Sequence, residues 1–307
     1  MPEPRDQSQR AIWTLLASVT AMAFADAMVK FVSAELSIWQ LFAVRSLCAL
    51  PVMVLITHAP ALRHALGAPA VWARSALLVL CWLAYYAALP WLDLSVAAVA
   101  VYTNPIITTV LAAVWLREPV SARQVVGVVL GFVGVLVIIK PGTGAVSAAV
   151  LLPFLAAAFY SVAMIITRAR CQGQHPLAMG TALHLAFVLA GALGLIALAP
   201  LLSALDASVD SAFLTGGWAP LSGANWAILA GLGLLAAAYF SGVAYAYQAA
   251  PPQRLATFDY AYLVSAALWG VVLFAEVPSV STVLGMALIT VAGLLVAVSA
   301  PGASRAR

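Results

Sequence analysis

Residues 116 to 142 read LREPVSARQVVGVVLGFVGVLVIIKPG, and residues 274 to 302 read FAEVPSVSTVLGMALITVAGLLVAVSAPG. In each stretch a glutamate ends an apolar segment, a proline follows within two residues, and a Pro-Gly pair ends the next apolar segment. A glycine stands nine residues after each glutamate, at Gly127 and Gly285. Matching segments so far apart indicate an internal repeat, and such repeats in membrane proteins are typical of transporters with a site at the repeat interface.

The composition is that of a membrane protein. Hydrophobic residues make up 65% of the chain and charged residues 8%, whereas about 25% of residues are charged in a soluble domain. The apolar blocks are each roughly 20 residues long, which is enough to cross a bilayer core of about 30 Å. We therefore predict an all-α polytopic membrane protein with ten transmembrane helices, at residues 11–31, 38–57, 71–91, 95–116, 121–139, 147–168, 178–200, 224–247, 254–275 and 279–299.

Basic residues concentrate on one side of this predicted topology. Arginine and lysine gather in cytoplasmic loops, so the distribution predicts that the N- and C-termini are cytoplasmic. The polar start MPEPRDQSQR precedes a full-length helix, so we expect no cleaved signal peptide. The membrane that we expect is a bacterial inner membrane. The inner side holds Arg5, Arg10, Arg63, Arg74, Arg117, Arg123, Arg168, Arg170, Arg254, Arg305 and Arg307, and the outer side holds Lys30 and Lys140.

The spacing of the repeat predicts a five-plus-five inverted arrangement. Phe24 and Phe159 lie in similar runs that are 135 positions apart, whereas Glu118 and Glu276 are 158 positions apart. The difference between these two spacings equals the length of a predicted outer loop at 201–223. Five helices per half is an odd number, so the second half runs through the membrane inverted. We divide the chain into a cytoplasmic tail (1–10), a first repeat (11–142), a second repeat (143–302) and a second cytoplasmic tail (303–307).

Four ionisable residues lie well inside predicted helices, where lipid exposure is costly, and are candidates for charge or proton roles. Asp26 and Arg45 have similar depths in helices 1 and 2, so three alternatives stay open. The two form a structural ion pair, or Arg45 binds a substrate carboxylate when Asp26 releases Arg45, or Asp26 is a proton site. His184 and Asp259 agree in depth at the opposite side. They form either a proton relay or a polar contact that holds two helices together.

Seven of the nine tyrosines lie deep within predicted helices, although tyrosine usually gathers at membrane interfaces. Trp82 is predicted to share one helix face with Tyr85 and Tyr86. Converging phenols and rings would form a pocket that stacks an aromatic ring, whereas the alternative for each residue is packing between helices. The predicted substrate-binding residues are Trp82, Tyr85, Tyr86, Tyr102, Asn104, Tyr160, Tyr239, Tyr260 and Tyr262. Only Tyr245 and Tyr247 are expected near a membrane edge.

Three further features concern the helices themselves. Pro105 has no N–H to donate to the carbonyl of Val101, so it predicts an interruption of helix 4 beside Asn104. Glu118 and Glu276 are predicted to cap helices 5 and 10. The small residues Gly127-x-x-x-Gly131 and Gly293-x-x-x-Ala297 predict close packing of these helices, either between the two halves or in a homodimer.

With its ten predicted helices, the paired glutamates and prolines, the Asn104-Pro105 break and the AFADAMVKF run of helix 1, the chain resembles the ten-helix EamA branch of the drug/metabolite transporter superfamily. Within it the chain is most similar to bacterial aromatic amino acid exporters. The resemblance implies a central cavity shared by both halves and export of a small amphipathic metabolite, foremost an aromatic or apolar amino acid. Other metabolites or drugs handled by the superfamily are the alternative.

Other classes of function find little support. The sequence has no zinc-protease or nucleophile-elbow motif, no paired catalytic aspartates and no metal-ligand spacing, so we expect no enzyme, catalytic residue, metal or cofactor. No filter-like repeat suggests a channel. The net charge of +4 and pI of 9.1 fit basic loops beside anionic lipid rather than nucleic acid. The expected partners are a small-molecule substrate and the lipid bilayer, with the protein a monomer or weak homodimer.

Overall fold

A computed structural model describes residues 4–115, 122–139, 148–205, 212–250, 255, 258–259 and 261–298, and within these ranges the regular structure is entirely helical. The helices are α1 (Pro4–Val32), α2 (Ile38–Ile56), α3 (Ala59–Leu66), α4 (Pro69–Ala88), α5 (Leu94–Val101), α6 (Asn104–Trp115), α7 (Ala122–Ile139), α8 (Leu151–Arg170), α9 (Pro176–Leu193), α10 (Ala199–Leu205), α11 (Ala212–Thr215), α12 (Gly223–Ala249), α13 (Ala261–Phe274) and α14 (Val280–Val298). A short 3-10 helix precedes α8, and a π-helical turn (Gly194–Leu198) joins α9 to α10.

Six helical segments of the described chain are long and apolar enough to cross a membrane. Four shorter apolar segments lie where the sequence predicts helices 4, 5, 9 and 10. This all-helical architecture is consistent with a polytopic membrane protein. The longer segments are Gln9–Val32, Ile38–Ile56, Pro69–Ala88, Leu151–Arg170, Pro176–Leu202 and Gly223–Ala249.

The predicted helix 4 is interrupted, as Pro105 in the sequence indicates. α5 ends at Val101 and α6 begins at Asn104, with a turn between them. Side-chain hydroxyls bond carbonyls at the break: Ser161 Oγ donates to the Asn104 carbonyl at 3.0 Å, and Thr103 Oγ1 donates to the Ala100 carbonyl at 2.8 Å. Hydroxyls can stabilise broken helices in this way because the membrane interior offers carbonyl groups no bulk water.

The helices pack in a pattern that repeats between the two halves of the chain. α1 packs against α12 and α13, while α8 packs against α4 and the α5–α6 pair. α2 packs against α9, and α7 against α14. The pattern is unchanged when α1 is exchanged with α8, α2 with α9, α4 with α12, α5–α6 with α13, and α7 with α14.

Small residues bring α7 and α14 together, and Gly131 is the residue of the predicted pair of small-residue motifs for which the structure gives a contact. A Cβ atom added at Gly134 would lie 3.1 Å from the Gly285 carbonyl and 2.9 Å from Ile289 Cγ1. A Cβ added at Gly131 would lie 2.2 Å from Ile106 Cδ1 on α6 and at an ordinary contact distance, 3.4 Å, from the Ala292 Cβ on α14. The close approach of these two helices therefore depends on glycine. The homodimer alternative stays a prediction.

The predicted role of Glu276 as a cap of helix 10 is wrong. Its Oε2 accepts a hydrogen bond from the Leu94 backbone N–H at 2.8 Å, so it caps α5 instead, and its Oε1 pairs with Lys30 Nζ. Lys30 Nζ also donates to the Leu92 carbonyl at 2.9 Å. α14 is capped by Ser279, whose Oγ accepts from the Thr282 N–H at 3.2 Å. We call the Lys30–Glu276 pair the clasp and this side of the bundle the Lys30 end; Glu118 lies outside the described residues.

The predicted outer loop 201–223 is partly helical, because α9 continues through the π-helical turn into α10 as far as Leu205, and α11 follows. The rest of the loop is tied to α2 at the Lys30 end. Gln40 Nε2 donates to the Ala219 carbonyl at 2.7 Å, and Gln40 Oε1 accepts from the Ala219 N–H at 3.0 Å. Trp39 Nε1 donates to the Leu214 carbonyl at 2.8 Å.

Candidate functional site

Asp26 lies fully buried in α1 and accepts hydrogen bonds from two phenols. The hydroxyl of Tyr86 donates to Asp26 Oδ1 at 2.9 Å, and the hydroxyl of Tyr262 donates to Oδ2 at 2.6 Å. The Tyr85 hydroxyl lies 2.8 Å from the Tyr262 hydroxyl and donates to it, because the latter's proton is directed at Asp26. Both carboxyl oxygens are thus satisfied, as a buried polar group requires. Three predicted tyrosines, on α4 and α13, therefore meet at one acidic residue.

Arg45 and Asp26 are not a direct ion pair, so that alternative of the sequence analysis is wrong. The phenol of Tyr86 lies between them: it donates to Asp26 and accepts from Arg45 Nη1 at 3.3 Å. The Arg45 guanidinium is fully buried among three aromatic rings. Its Cζ lies 5.0 Å from the Phe187 centroid, 5.7 Å from Phe42 and 5.9 Å from Tyr86. These distances are within the range of cation–π attraction.

His184 and Asp259 do not meet either, so both alternatives predicted for them, the proton relay and the polar contact between two helices, are wrong. His184 packs against the rings of Phe240 and Phe187, with centroids 6.0 Å and 6.5 Å away. Asp259 Oδ2 instead accepts from the hydroxyl of Tyr247 at 2.6 Å. Tyr247, expected near a membrane edge, is buried and provides the donor that a buried carboxyl group needs. Equal depth did not make His184 and Asp259 neighbours, since α9 packs against α2 and α12.

A central cavity brings six of the nine predicted binding residues together. It is small, with a volume of about 20 Å³. Its wall contains the stacked pair Tyr102 and Tyr262, whose ring centroids are 4.7 Å apart with an interplanar angle of 17°. The predicted residues in the wall are Trp82, Tyr85, Tyr102, Asn104, Tyr160 and Tyr262, and they are joined by Met22, Cys81 and Val101. The wall thus draws on α1, α4, α5, α6, α8 and α13, from both halves of the chain.

Tyr86 and Tyr239, two of the remaining predicted residues, lie behind this wall. The Tyr86 ring centroid is 5.2 Å from that of Trp82, and the Tyr239 centroid is 6.5 Å from it. Phe240, which the sequence analysis did not select, lies 5.8 Å from Trp82 and 4.5 Å from Tyr239. The wall therefore continues into an aromatic cluster. Tyr260 lies outside the described residues.

Arg74 is a buried cation that the sequence analysis assigned to the cytoplasmic side. It lies in the second turn of α4, is 1% exposed, and its Nε donates to Thr167 Oγ1 on α8 at 2.9 Å. Its position after the helix start, inside an apolar run, was a signal for burial. Among the described residues, no group of three or more His, Cys, Asp or Glu side chains is placed to hold a metal ion, and Cys48, Cys81 and Cys171 are free thiols.

Comparisons with known proteins agree with this membrane architecture. Residues 9–140 match the model of the EamA-like transporter family. The chain is 29% identical over 188 residues to a riboflavin transporter of Vibrio cholerae serotype O1 (strain ATCC 39315 / El Tor Inaba N16961), covering 61% of this chain and 57% of that protein. It is 28% identical over 307 aligned residues to a riboflavin transporter of Rhizobium johnstonii (strain DSM 114642 / LMG 32736 / 3841), covering 96% of this chain and 92% of that protein.

One crystal structure shares the fold, with a TM-score of 0.62 and 18% sequence identity over 98% of this chain and 99% of that chain. At this identity the likeness concerns the fold alone. The family match covers the first part of the chain, and the two named relatives are similar at low identity. The family match and the two named relatives, without the crystal structure, support a membrane transporter.

Proposed function

We propose that the chain is a secondary transporter that carries small metabolites with a flat ring across the membrane by alternating access. The observation that carries the proposal is the central cavity, whose wall combines Trp82, the stacked pair Tyr102 and Tyr262, and the polar side chain of Asn104. Aromatic walls with a few polar groups are typical of ligand sites. Rings stacked at such distances contribute roughly 0.5 to 1.5 kcal/mol beyond area burial.

The size of the cavity favours a moving site over an open pore. A volume of about 20 Å³ is enough for a water molecule, whereas small-molecule sites occupy roughly 300 to 1,000 Å³. A substrate can therefore enter only when helices of the two halves separate. This requirement is what alternating access supplies.

Two substrate classes are favoured by different observations. Riboflavin has a flat three-ring system, and two relatives of low identity carry the name riboflavin transporter. Aromatic amino acids, which the sequence analysis predicts as exported substrates, have one ring and two opposite charges; Asp26 and Arg45, linked through Tyr86, offer complementary groups. Both classes share the ring that the cavity wall suits.

The ring-binding role makes the first prediction. Trp82→Ala and Tyr102→Ala should reduce transport of riboflavin or tryptophan by about two- to tenfold more than transport of threonine, because stacking is lost only for ring-bearing molecules. Tyr102→Phe should retain most of the transport, since the stacked ring remains. The measurement is uptake of labelled substrate into proteoliposomes, with unlabelled competitors and with and without a pH gradient.

The matched control for these two variants is Trp13→Ala, at a side chain that is 71% exposed on the bundle surface. Equal losses for threonine, together with poor folding, would show that these rings only pack helices.

We also propose the predicted ten-helix inverted repeat in a bacterial inner membrane, with cytoplasmic termini and the Lys30 end outside. The exchange symmetry of helix packing and the four shorter apolar segments support it. The distribution of arginine supports the orientation.

Orientation makes the second prediction. In a variant whose three native cysteines are replaced by serine, Gly217→Cys at the Lys30 end should react with an impermeant thiol reagent in intact cells. Arg170→Cys, at an exposed position on the predicted cytoplasmic side where α8 ends, should react only after the cells are opened. The reverse labelling pattern would contradict the orientation, and labelling of both in intact cells would contradict the helix count.

A further inference from the structure

Arg45 has an unused hydrogen-bonding edge in the interior of the protein. Nη1 donates to Tyr86, whereas Nε and Nη2 have no hydrogen-bond partner among the described residues, although Arg45 is fully buried. Nε–H and one N–H of Nη2 point in the same direction. They form the guanidinium edge that matches two coplanar acceptor atoms.

We propose that Arg45 is a substrate-recognition residue whose Nε–Nη2 edge binds two coplanar acceptor atoms of the transported molecule, either a carboxylate or an acceptor edge of a flavin ring. The inference rests on the proposed function, because it assigns the polar contact of the same ring-bearing substrate. It also narrows the substrate class: a ring without two adjacent acceptors is a poor substrate.

The contacts of Arg45 distinguish it from a structural arginine. Asp26 does not fill the unused edge, because the Tyr86 phenol lies between the two side chains and Nε and Nη2 make no hydrogen bond to Asp26. Arg74, the other buried arginine of the described chain, uses its Nε to bond Thr167, although its Nη1 also lacks a partner. A buried guanidinium edge without acceptors is costly. A substrate that supplies both acceptors would recover this cost on binding.

Other unpaired donors lie around the same aromatic cluster. Trp82 Nε1 and both ring nitrogens of His184 are buried without a hydrogen-bond partner among the described residues. Both side chains contact the Phe240 ring, at centroid distances of 5.8 Å and 6.0 Å. Trp82 also lines the central cavity. Trp82 therefore links the cavity, where we place the substrate ring, to the aromatic cluster around Phe240. Phe187 stacks on Phe240 and also lies over the Arg45 guanidinium, so Arg45 borders this cluster.

Ligand pairs test this assignment on the unaltered protein. Purified protein in detergent is titrated with riboflavin, 1-deazariboflavin and 5-deazariboflavin, and separately with tryptophan, indole-3-acetate and tryptamine. Each deaza analogue removes one acceptor atom from one edge of the flavin ring, and tryptamine lacks the carboxylate. If the flavins bind, we expect one of the two deaza analogues to bind at least about tenfold more weakly than riboflavin. If the indoles bind, we expect tryptamine to bind at least about tenfold more weakly than tryptophan and indole-3-acetate. The reason in both cases is that hydrogen bonds to charged groups are strong. Equal affinities throughout that series would overturn the inference.

Variants then connect the preference to Arg45. Arg45→Lys keeps the positive charge but loses the two-donor edge, so binding of the preferred ligand should fall about tenfold or more and the preference within the series should vanish. Arg74→Lys is the matched control and should keep both the affinity for the preferred ligand and the preference within the series. Full retention of affinity and preference in Arg45→Lys would overturn the inference but leave the ring-binding function standing. If no ring-bearing ligand binds the unaltered protein, the proposed function itself fails.

Discussion

Gly233→Ala should destabilise the protein and remove most of its transport activity, whereas Gly231→Ala should leave both intact. A Cβ atom at Gly233 would lie 2.2 Å from the Arg45 carbonyl on α2, a backbone atom that cannot move without shifting the helix. Such overpacking typically costs about 1 to 3 kcal/mol. The shift would also displace the Arg45 side chain from Tyr86. A Cβ at Gly231, two residues earlier on α12, meets nothing within 4 Å.

The two variants make a matched pair, because each gains the same methyl group and the same helix propensity. In a helix interior the change from glycine to alanine is favourable by up to about 1 kcal/mol. Gly231→Ala should therefore be neutral or slightly stabilising, and Gly233→Ala should shift the unfolding midpoint in the opposite direction. Unfolding in detergent and uptake into proteoliposomes measure the two effects. Similar stability for both variants would show that α2 and α12 do not approach each other closely at Gly233.

Asp26→Asn should lower the free energy of unfolding by about 3 kcal/mol, because it leaves one of two buried phenols without its carboxylate acceptor. Arg45→Gln should cost less, because it removes the unpaired guanidinium edge together with the bond to Tyr86. The double variant should lose less than the sum of the two, with a coupling energy of about 0.5 to 3 kcal/mol. In this structure the coupling passes through the hydroxyl of Tyr86. The same cycle in a Tyr86→Phe background should therefore show a much smaller coupling energy.

Equilibrium unfolding of the single, double and triple variants measures this cycle. Asp93→Asn, at an exposed position next to α5, is the control for removing a carboxylate and should change stability little. Strictly additive losses in the protein with Tyr86 intact would contradict a coupling between Asp26 and Arg45 through the Tyr86 hydroxyl. A coupling energy that persists in the Tyr86→Phe background would instead mean that Asp26 and Arg45 act on each other directly.

Part of the lining of the central cavity was predictable from sequence, because a phenol or carboxyl group at mid-membrane depth must face protein. That rule selected Tyr85, Tyr102, Tyr160 and Tyr262, which the structure brings to one cavity. Hydrogen-bond partners were not predictable in the same way. Sequence position fixes the depth of a residue, but not the rotation of its helix or the identity of its neighbours. The expected pair of His184 and Asp259 failed for this reason.

Helix caps show a similar limit. The sequence places Glu276 just before helix 10, and a local interpretation makes it the cap of that helix. Ser279 is closer to the start of α14 and provides that cap, which leaves Glu276 available to a distant helix. The helix interruption at Asn104 was predictable because its cause, the proline that follows, is local.

The clasp implies an order in which contacts of the protein form during its synthesis. Glu276 caps α5 across 182 positions of sequence and neutralises Lys30 across 246. A ribosome completes α1 and α5 long before it reaches this residue, so the early helices enter the bilayer with an uncapped first turn and a lysine without its counter-charge. The first half of the chain therefore cannot mature as an independent module. Its last bonds form only when the connection between α13 and α14 arrives.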